Sequence, residues 1–459
     1  MMAIAGAHES EVLPQDISQV KPGEAAALFR RIHFRLGPLL FLSYTLAFID
    51  RVNVGFTQLQ MKGALGITAQ QFGLAAGLFY VTYIIFELPS NLMVERIGMR
   101  KQLLRIMVLW GLTSAATAFV RTPGQYYAER LLLGAFEAGF FPAIVLYMSN
   151  WLPSQERGKA MGFFLMGAVI AGLIGNPVSG LIMSNMDGVW GFSGWQWCFI
   201  VEGLPCVILG VINFVCLYDK PEQAKWLNPR EKKILILSLE AERQADKAAY
   251  ADKWWKVLRD PRIYLLAFLI ISCQGGAMVL NFWLPTIIKN LGVKSLANVG
   301  YLGIIPFAAA AVGLLFITRS SDRHAERRWH FAMCAIVTAL ALVVAPQFSK
   351  SLFWSLVVMT IMSIGINASI PTFWAIPARY LGPAAAAGGL ALISSLAALG
   401  NFFSPIVMGY LIGRTGSMAS GMYVHAAALF LAGLAMLILV PKRAVTVGVQ
   451  QPAAKKAGA

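Results

Sequence analysis

Charged residues are scarce in this chain of 459 residues, because Asp, Glu, Lys and Arg together make up only 13% of it. Soluble domains carry about twice that share, roughly 25%. A soluble chain of this length forms about three domains, each with a charged surface, and too few charges are present to cover three such surfaces. The scarcity excludes a soluble multidomain protein, and the high apolar content excludes an intrinsically disordered one.

Cysteine is also rare, since the chain has five cysteines, too few for a disulfide scaffold, and none has the spacing of a metal site. No phosphate-binding loop and no Ser/His/Asp motif of a hydrolase is present. The first 34 residues lack the apolar stretch of a cleavable signal peptide. These absences predict a protein that is not an enzyme, binds no metal or cofactor, and does not drive transport with ATP.

Apolar residues are abundant instead, at 58% of the chain, with a mean hydropathy of +0.64. A helix that crosses a bilayer core about 30 Å thick needs roughly 20 apolar residues. Twelve runs meet this requirement, so the sequence predicts an all-α membrane protein with twelve transmembrane helices. The runs are 36–56, 71–93, 103–120, 127–150, 160–184, 196–217, 262–287, 298–318, 330–347, 352–376, 384–412 and 419–440.

A polar stretch between the sixth and seventh runs divides the chain into two halves. The predicted parts are a cytoplasmic N-terminal tail (1–34), an N-terminal six-helix bundle (35–217), a cytoplasmic central loop (218–261), a C-terminal six-helix bundle (262–440) and a cytoplasmic C-terminal tail (441–459). Residues 25–35 (AAALFRRIHFR) are predicted as a short basic helix at the membrane surface, with a solvated tail as the alternative.

The net charge of +16 could suggest a nucleic-acid partner. With twelve spans both termini lie on one side, and most of the 38 Lys and Arg residues fall on that side. The opposite loops hold Lys62, Arg121, Lys289, Lys294, Lys350 and Arg414. This asymmetry predicts a multi-pass protein of a bacterial inner membrane with both termini in the cytoplasm, surrounded by lipid and without a nucleic-acid partner.

Three features recur in the same order at offsets of 225 to 229 residues, which indicates a duplication. Glu95-Arg96 matches Asp322-Arg323, Pro142 matches Pro371, and the segment 175–179 (GNPVS) matches 400–404 (GNFFS). Two six-helix halves in the same orientation enclose a cavity near the membrane midplane, as expected of secondary transporters.

Several charged residues lie inside the apolar runs of the first half: Asp50, Arg51, Glu87, Arg130, Glu137 and Glu202. A charge at the bilayer centre costs at least about 2.5–3.5 kcal/mol, so each needs a partner or water. A guanidinium fork matches a carboxylate, and a desolvated carboxyl can load and release a proton. We therefore predict substrate binding by Arg51 and Arg130 and proton coupling by Asp50 and Glu137. Buried ion pairs that lock the bundle are the alternative, and an equally good one for Glu87 and Glu202.

The second half offers neutral polar and aromatic side chains in place of charges. They suit the hydroxyl groups and ring faces of a substrate, although such residues also serve commonly in helix–helix packing. These candidates are Gln274, Asn281, Trp283, Asn367, Thr372, Trp374, Ser394, Ser395 and Asn401.

Five segments carry a resemblance to a known family: Phe48–Phe56 (FIDRVNVGF), Tyr83–Gly98 (YIIFELPSNLMVERIG), Arg130–Pro153 (RLLLGAFEAGFFPAIVLYMSNWLP), Gly194–Pro205 (GWQWCFIVEGLP) and Asp219–Leu227 (DKPEQAKWL). The chain from about 30 to 440 strongly resembles the anion:cation symporter family of the major facilitator superfamily, above all its tartrate, phthalate and hydroxyphenylacetate permeases. The resemblance implies the major facilitator fold, with two pseudo-symmetric six-helix bundles, and import of organic anions with protons by alternating access.

The resemblance also implies roles for single residues. Positions that carry coupling and carboxylate binding in the family's hexonate transporters are matched by Asp50, Arg51, Arg130 and Glu137, and further site positions by Tyr83 and Trp374. Three positions depart from the family: Phe48 replaces a Tyr, Ala168 replaces a polar residue, and Ser394 replaces an Asn. The less polar site favours aromatic or less hydroxylated acids.

The superfamily's loop motif is matched by Asn91, Glu95, Arg96, Gly98, Arg100 and Lys101, and its second copy by Asp322 and Arg323. We interpret these residues as a gating latch that stabilises the outward-open state; an ordinary positive-inside loop is the alternative. The sequence thus predicts a monomeric secondary active transporter for proton-coupled uptake of a small organic anion, tartrate-like or an aromatic carboxylate. An exporter of organic acids, or a transport-inactive sensor, on the same scaffold are the alternatives.

Overall fold

The computed structural model describes residues 20, 22–247, 258–324, 326–381 and 383–441, and all regular structure within them is helical. The α-helices are α1 (Pro22–Leu65), α2 (Ala69–Ile97), α3 (Met99–Ala116), α4 (Pro123–Glu137), α5 (Phe140–Trp151), α6 (Ser154–Asn185), α7 (Gly194–Cys216), α8 (Pro229–Lys247), α9 (Pro261–Asn290), α10 (Leu296–Arg323), α11 (Arg328–Val344), α12 (Leu352–Trp374), α13 (Pro377–Leu381), α14 (Pro383–Thr415) and α15 (Ala419–Leu439).

Twelve helical segments of the described residues are long and apolar enough to cross a membrane. α4 and α5 together form the fourth of them, whereas α8 and α13 are not among them. Many large apolar side chains are exposed on these helices, including Phe316 and Ile438, as a lipid-facing surface requires. The predictions of an all-α membrane protein and of twelve spans are confirmed.

Helices pair in the same order in both halves of the chain. α1 packs on α6, α2 on α4, and α3 on α7; correspondingly α9 packs on α14, α10 on α12, and α11 on α15. Equivalent pairings are what two copies of one six-helix unit produce. The halves meet through α1 with α9, α2 with α14, and α6 with α10.

The first helix is continuous from Pro22 to Leu65, so residues 25–35 are its first turns and not a separate surface helix as predicted. Ion pairs with α8 hold these turns in place: Arg230 Nε lies 2.5 Å from Glu24 Oε1, and Arg31 Nη1 lies 3.0 Å from Glu231 Oε1. The central loop helix therefore anchors the N-terminal extension of the first span.

The two halves pack closely at the end of the bundle that lies away from the chain termini, which we call the closed end. Glycines allow this approach, because a Cβ atom on Gly73 would lie 2.2 Å from Pro405 O and one on Gly300 would lie 2.6 Å from Asn176 O. Gln58 Nε2 also donates across the interface to Phe282 O at 2.8 Å. Backbones in such close contact leave no room for side chains at these positions.

Gly73→Ala is expected to separate the halves at the closed end, because its methyl group overlaps Pro405 O. Overpacking of this kind costs about 1–3 kcal/mol. Spin labels at the exposed positions Ala64 and Arg414 should report a longer distance between the halves. Gly63→Ala is the matched control, since nothing lies within 4 Å of that position. An unchanged distance in Gly73→Ala would show that this contact does not hold the end closed.

Candidate functional site

An ion pair between the first and fourth spans forms the centre of the site. Arg51 Nη2 on α1 lies 2.5 Å from Glu137 Oε1 on α4. The Glu137 side chain is fully buried, whereas that of Arg51 keeps 22% of its surface exposed. In the described residues Glu137 Oε2 and Arg51 Nε have no hydrogen-bond partner. The pair therefore retains unused hydrogen-bonding capacity in an apolar surrounding.

A break in the fourth span places Glu137 at the end of α4. Ala138 leaves helical geometry (φ −55°, ψ 134°), and Gly139 takes a left-handed conformation with φ 85° before α5 begins. Two observations exclude a side chain at Gly139. Its positive φ disfavours any other residue, and a Cβ atom there would lie 2.5 Å from Ser90 Oγ. Glycine at 139 thus lets the span turn directly after its carboxylate.

Asp50 is next to Arg51 in sequence but has different partners. Trp110 Nε1 donates to Asp50 Oδ2 at 3.0 Å, and Ser114 Oγ donates to Asp50 Oδ1. Only 2% of Asp50 is exposed, and it lines the same cavity as Arg51 and Glu137. The third span therefore orients this carboxylate through two side-chain donors.

Arg130 contacts a carboxylate that was not among the predicted site residues. Its Nε lies 3.1 Å from Glu129 Oε2, and both side chains are buried. The guanidinium also lies 5.6 Å from the ring of Tyr126, and its Nη2 atom has no hydrogen-bond partner among the described residues. Glu129 was detectable, because it is an acidic residue inside the fourth apolar run.

A small cavity joins these groups. Its lining contains the four predicted charged residues together with aromatic and aliphatic side chains, and Phe282 contributes to it from the second half. The cavity is lined by Asp50, Arg51, Val54, Ala76, Phe79, Tyr80, Arg130, Leu133, Glu137 and Phe282. As expected from their two-turn spacing, Arg130 and Glu137 face the same cavity.

Aromatic rings surround the Arg51 guanidinium. Its Cζ atom lies 5.1 Å from the ring centre of Phe48 and 5.7 Å from those of Phe79 and Tyr83. Tyr83, predicted as a substrate-binding residue, is therefore close to the ion pair. A cation so placed is stabilised by the ring faces, and the same faces offer stacking surface to a ligand.

The predicted residues of the second half are not gathered around this cavity. Gln274, Asn281 and Trp374 are half-buried, and Ser394 is exposed. Thr372 is buried but donates to Ala368 O of its own helix at 2.7 Å. In this conformation the charged groups of the first half are brought together, whereas these neutral groups remain apart from them.

Glu87 and Glu202 also lie outside the cavity lining. Glu87 is half-buried on α2. Glu202 on α7 is buried and accepts a hydrogen bond from Ser179 Oγ of α6 at 2.7 Å. This bond ties the fifth and sixth spans together, in agreement with the structural alternative for Glu202.

The loop-motif residues of the first half contact that half and the start of the central loop, and Asp322 has a partner in the second half. Arg100 donates from its backbone N to Asp219 Oδ1 at 2.8 Å and from Nη2 to Phe214 O at 2.6 Å. Arg327 Nη2 donates to Asp322 Oδ1 at 3.1 Å in the second half. Arg96, Lys101 and Arg323 are exposed, and the side chain of Glu95 lies outside the described residues. In this conformation the residues predicted to form the latch therefore make their described contacts in two separate parts of the chain, and the latch remains a prediction.

Metal chemistry finds no support in the described residues, which contain no group of three or more His, Cys, Asp or Glu side chains that could hold a metal ion. The chemical capacity of the site lies in two guanidinium groups and three carboxyl groups, enclosed by aromatic and aliphatic side chains. Groups of this kind have the chemistry needed to bind an anion and to exchange a proton.

The sequence model of the family described as "Major Facilitator Superfamily" matches residues 40–388 and 294–457 of this chain. A protein of Agrobacterium vitis named "Putative tartrate transporter" is 38% identical over 414 residues, which cover 90% of this chain and 91% of the relative. The "Quinolone resistance transporter" of Acinetobacter baumannii is 37% identical over 93% of this chain and 98% of its own length. The fold is similar to the partially occluded inward-open xylose transporter XylE of E. coli, with a TM-score of 0.70 at 16% identity, over 89% of this chain and 98% of that one.

Proposed function

The chain belongs to the Major Facilitator Superfamily of transporters, and we propose that it takes up a small organic anion, a tartrate-like or aromatic carboxylate, together with protons by alternating access of its two halves. The observation that carries the proposal is the buried ion pair of Arg51 and Glu137 on the cavity wall. A guanidinium that is paired only with a titratable carboxyl is available to a substrate whenever that carboxyl is protonated.

Protonation of Glu137 removes the negative charge that holds Arg51. The guanidinium then exchanges this partner for a substrate carboxylate, which it binds in the same planar geometry. Arg130, whose Nη2 atom has no hydrogen-bond partner among the described residues, supplies a second donor on the same wall. Asp50, held by Trp110 and Ser114, is the second carboxyl that loads and releases a proton. Substrate and proton therefore bind together, which is the basis of symport.

Alternating access requires that the cavity opens to one side at a time. The closed end seals the cavity on the side away from the termini through contacts such as that of Gln58 with Phe282. With both termini in the cytoplasm of a bacterial cell, as the distribution of basic residues supports, this conformation releases substrate inward. In the opposite, outward-open conformation, we propose that the ends of the halves that carry the motif residues Arg100 and Asp322 come into contact. We propose that one copy of the chain suffices, with membrane lipid around it.

Uptake into proteoliposomes tests the proposal. An inward proton gradient should drive accumulation of a carboxylate from a panel of tartrate, galactonate, phthalate and 4-hydroxyphenylacetate above its outside concentration. Collapse of the gradient with a protonophore should abolish the accumulation and leave equilibration. If no member of the panel accumulates under any proton gradient, the proposal is wrong.

Export of an organic acid is a second candidate, which the relative named as a quinolone resistance transporter supports. The same ion pair serves either direction, because a symport cycle is reversible. Intact cells that express the chain distinguish the two: import raises the intracellular substrate concentration, whereas export lowers it. Binding without movement in either direction would identify a sensor instead.

A further inference from the structure

Glu129 is a buried acid beside the cavity, and neither the sequence motifs nor the proposed cycle assigns a role to it. It lies on α4 directly before Arg130, with 7% of the residue exposed, and its Oε2 atom is 3.1 Å from Arg130 Nε. Its other oxygen, Oε1, is buried and has no hydrogen-bond partner in the described part of the chain. Arg130 lines the cavity, so Glu129 compensates one of the two cations there.

The charge of the site depends on this compensation. When Asp50 and Glu137 are protonated for substrate binding, the charges that remain on the described cavity lining and its direct ion-pair partners are the guanidinium groups of Arg51 and Arg130 and the carboxylate of Glu129. Two positive groups against one negative group leave a single net positive charge. One substrate carboxylate neutralises it, whereas a second carboxylate would enter the buried cavity without a counter-charge. Uncompensated charge in such a place is costly.

The walls of the cavity add a second restriction. Phe48, Phe79 and Tyr83 lie around the Arg51 guanidinium, and Phe282 lines the cavity from the other half. Val54, Ala76 and Leu133 contribute aliphatic surface. Apart from Tyr80 and the charged groups, which pair with one another or with the substrate carboxylate, this lining consists of ring and aliphatic surface, which favours stacking over contacts with substrate hydroxyl groups.

The net charge of the site and its aromatic lining both restrict which substrates it accepts. Building on the proposed transport function, we propose that Glu129 determines specificity by compensating Arg130, so that the site selects aromatic monocarboxylates over dicarboxylates and over polyhydroxy acids. Dianions are excluded by charge, and hydroxylated acids by the aromatic wall. Glu129 has this effect through Arg130 and needs no contact with the substrate.

A panel of four acids separates charge from aromaticity. 4-Hydroxyphenylacetate is an aromatic monocarboxylate, phthalate an aromatic dicarboxylate, galactonate a hydroxylated monocarboxylate and tartrate a hydroxylated dicarboxylate. Calorimetric titration of the purified full-length chain should give 4-hydroxyphenylacetate an affinity at least about tenfold above that of phthalate, the difference that one unpaired carboxylate produces. If phthalate, galactonate or tartrate binds as tightly as 4-hydroxyphenylacetate, the inference is wrong. If none of the four binds, the proposed transport function fails instead.

The substitution Glu129→Gln tests the residue itself. It preserves the shape and leaves Arg130 uncompensated, so the preference should change by about tenfold or more toward phthalate. Glu202→Gln makes the same chemical change in a buried acid that contacts Ser179 instead of a cavity arginine, and it should preserve the wild-type preference. A preference in Glu129→Gln that equals that of wild type would overturn the assignment.

A second variant covers the case in which Glu129→Gln does not fold. The double variant Glu129→Gln/Arg130→Gln removes both partners of the ion pair and keeps the net charge of the site. It should bind all four acids more weakly and still prefer the monocarboxylates. A double variant that prefers phthalate would contradict the charge argument.

Discussion

Arg51→Gln is expected to abolish carboxylate binding. The guanidinium is the cation on the cavity wall that a protonated Glu137 releases, and a Gln side chain supplies neither its charge nor its fork of donors. Two charge-assisted hydrogen bonds contribute about 1.5–3 kcal/mol each, so affinity should fall by roughly a hundredfold or more. Calorimetric titration with a substrate that binds wild type measures this loss directly.

Two control variants separate loss of binding from loss of structure. Arg51→Lys keeps the charge but not the planar fork, and it should bind with intermediate affinity. Arg51→Gln also leaves Glu137 buried without its cation, which is destabilising by itself. The double variant Arg51→Gln/Glu137→Gln removes both charges, so it should unfold near the wild-type temperature and still fail to bind. Wild-type affinity in either glutamine variant would remove Arg51 from the site.

The fold was predictable because a membrane leaves the backbone few choices. Every amide and carbonyl in the hydrocarbon layer needs a partner, so apolar runs of about 20 residues become helices. The start of the first helix was less predictable. Its extension to Pro22 depends on ion pairs of Glu24 and Arg31 with α8, which no local pattern indicates.

The charged residues of the site were predictable for a related reason. Asp50, Arg51, Arg130 and Glu137 are conspicuous because a charge inside an apolar helix needs a specific partner. Which partner each one contacts was not predictable. Arg51 pairs with Glu137 across 86 residues, and Arg130 pairs with its neighbour Glu129, although adjacent side chains on a helix normally diverge. A flexible arginine side chain overcomes that divergence.

Neutral polar residues of the second half were harder to assign from sequence. Thr372 donates to Ala368 O and Asn367 to Ser363 O, so both satisfy their donors within their own helix. Short polar side chains often bond in this way to the preceding turn. A neutral polar residue in a span is therefore weaker evidence for a site than a charged residue is. The backbone of its own helix can satisfy a neutral side chain, but it cannot neutralise a charge.

Glu137→Gln is expected to uncouple transport from the proton gradient while sparing exchange. Glutamine has the size of a protonated glutamate and still accepts a hydrogen bond from Arg51, but it cannot release a proton. The substrate should therefore bind, and counterflow between equal concentrations should continue at a rate within about threefold of wild type, since no binding contact worth more than a fraction of a kcal/mol is lost. Accumulation against a concentration difference should disappear, because residue 137 can no longer release a proton and pair again with Arg51 when the substrate leaves, and a proton on Asp50 alone does not make substrate release depend on proton release.

The matched comparison is Glu202→Gln, the same change in a buried acid that contacts Ser179 outside the cavity. Both variants should be reconstituted at equal density and assayed in the same gradient, first for counterflow and then for accumulation. Glu202→Gln should concentrate substrate as wild type does, whereas Glu137→Gln should only equilibrate it. If Glu137→Gln still concentrates substrate, the coupling proton is carried elsewhere. Coupling is then assigned to Asp50, the other carboxyl on the cavity wall. This carboxylate accepts hydrogen bonds from Trp110 and Ser114.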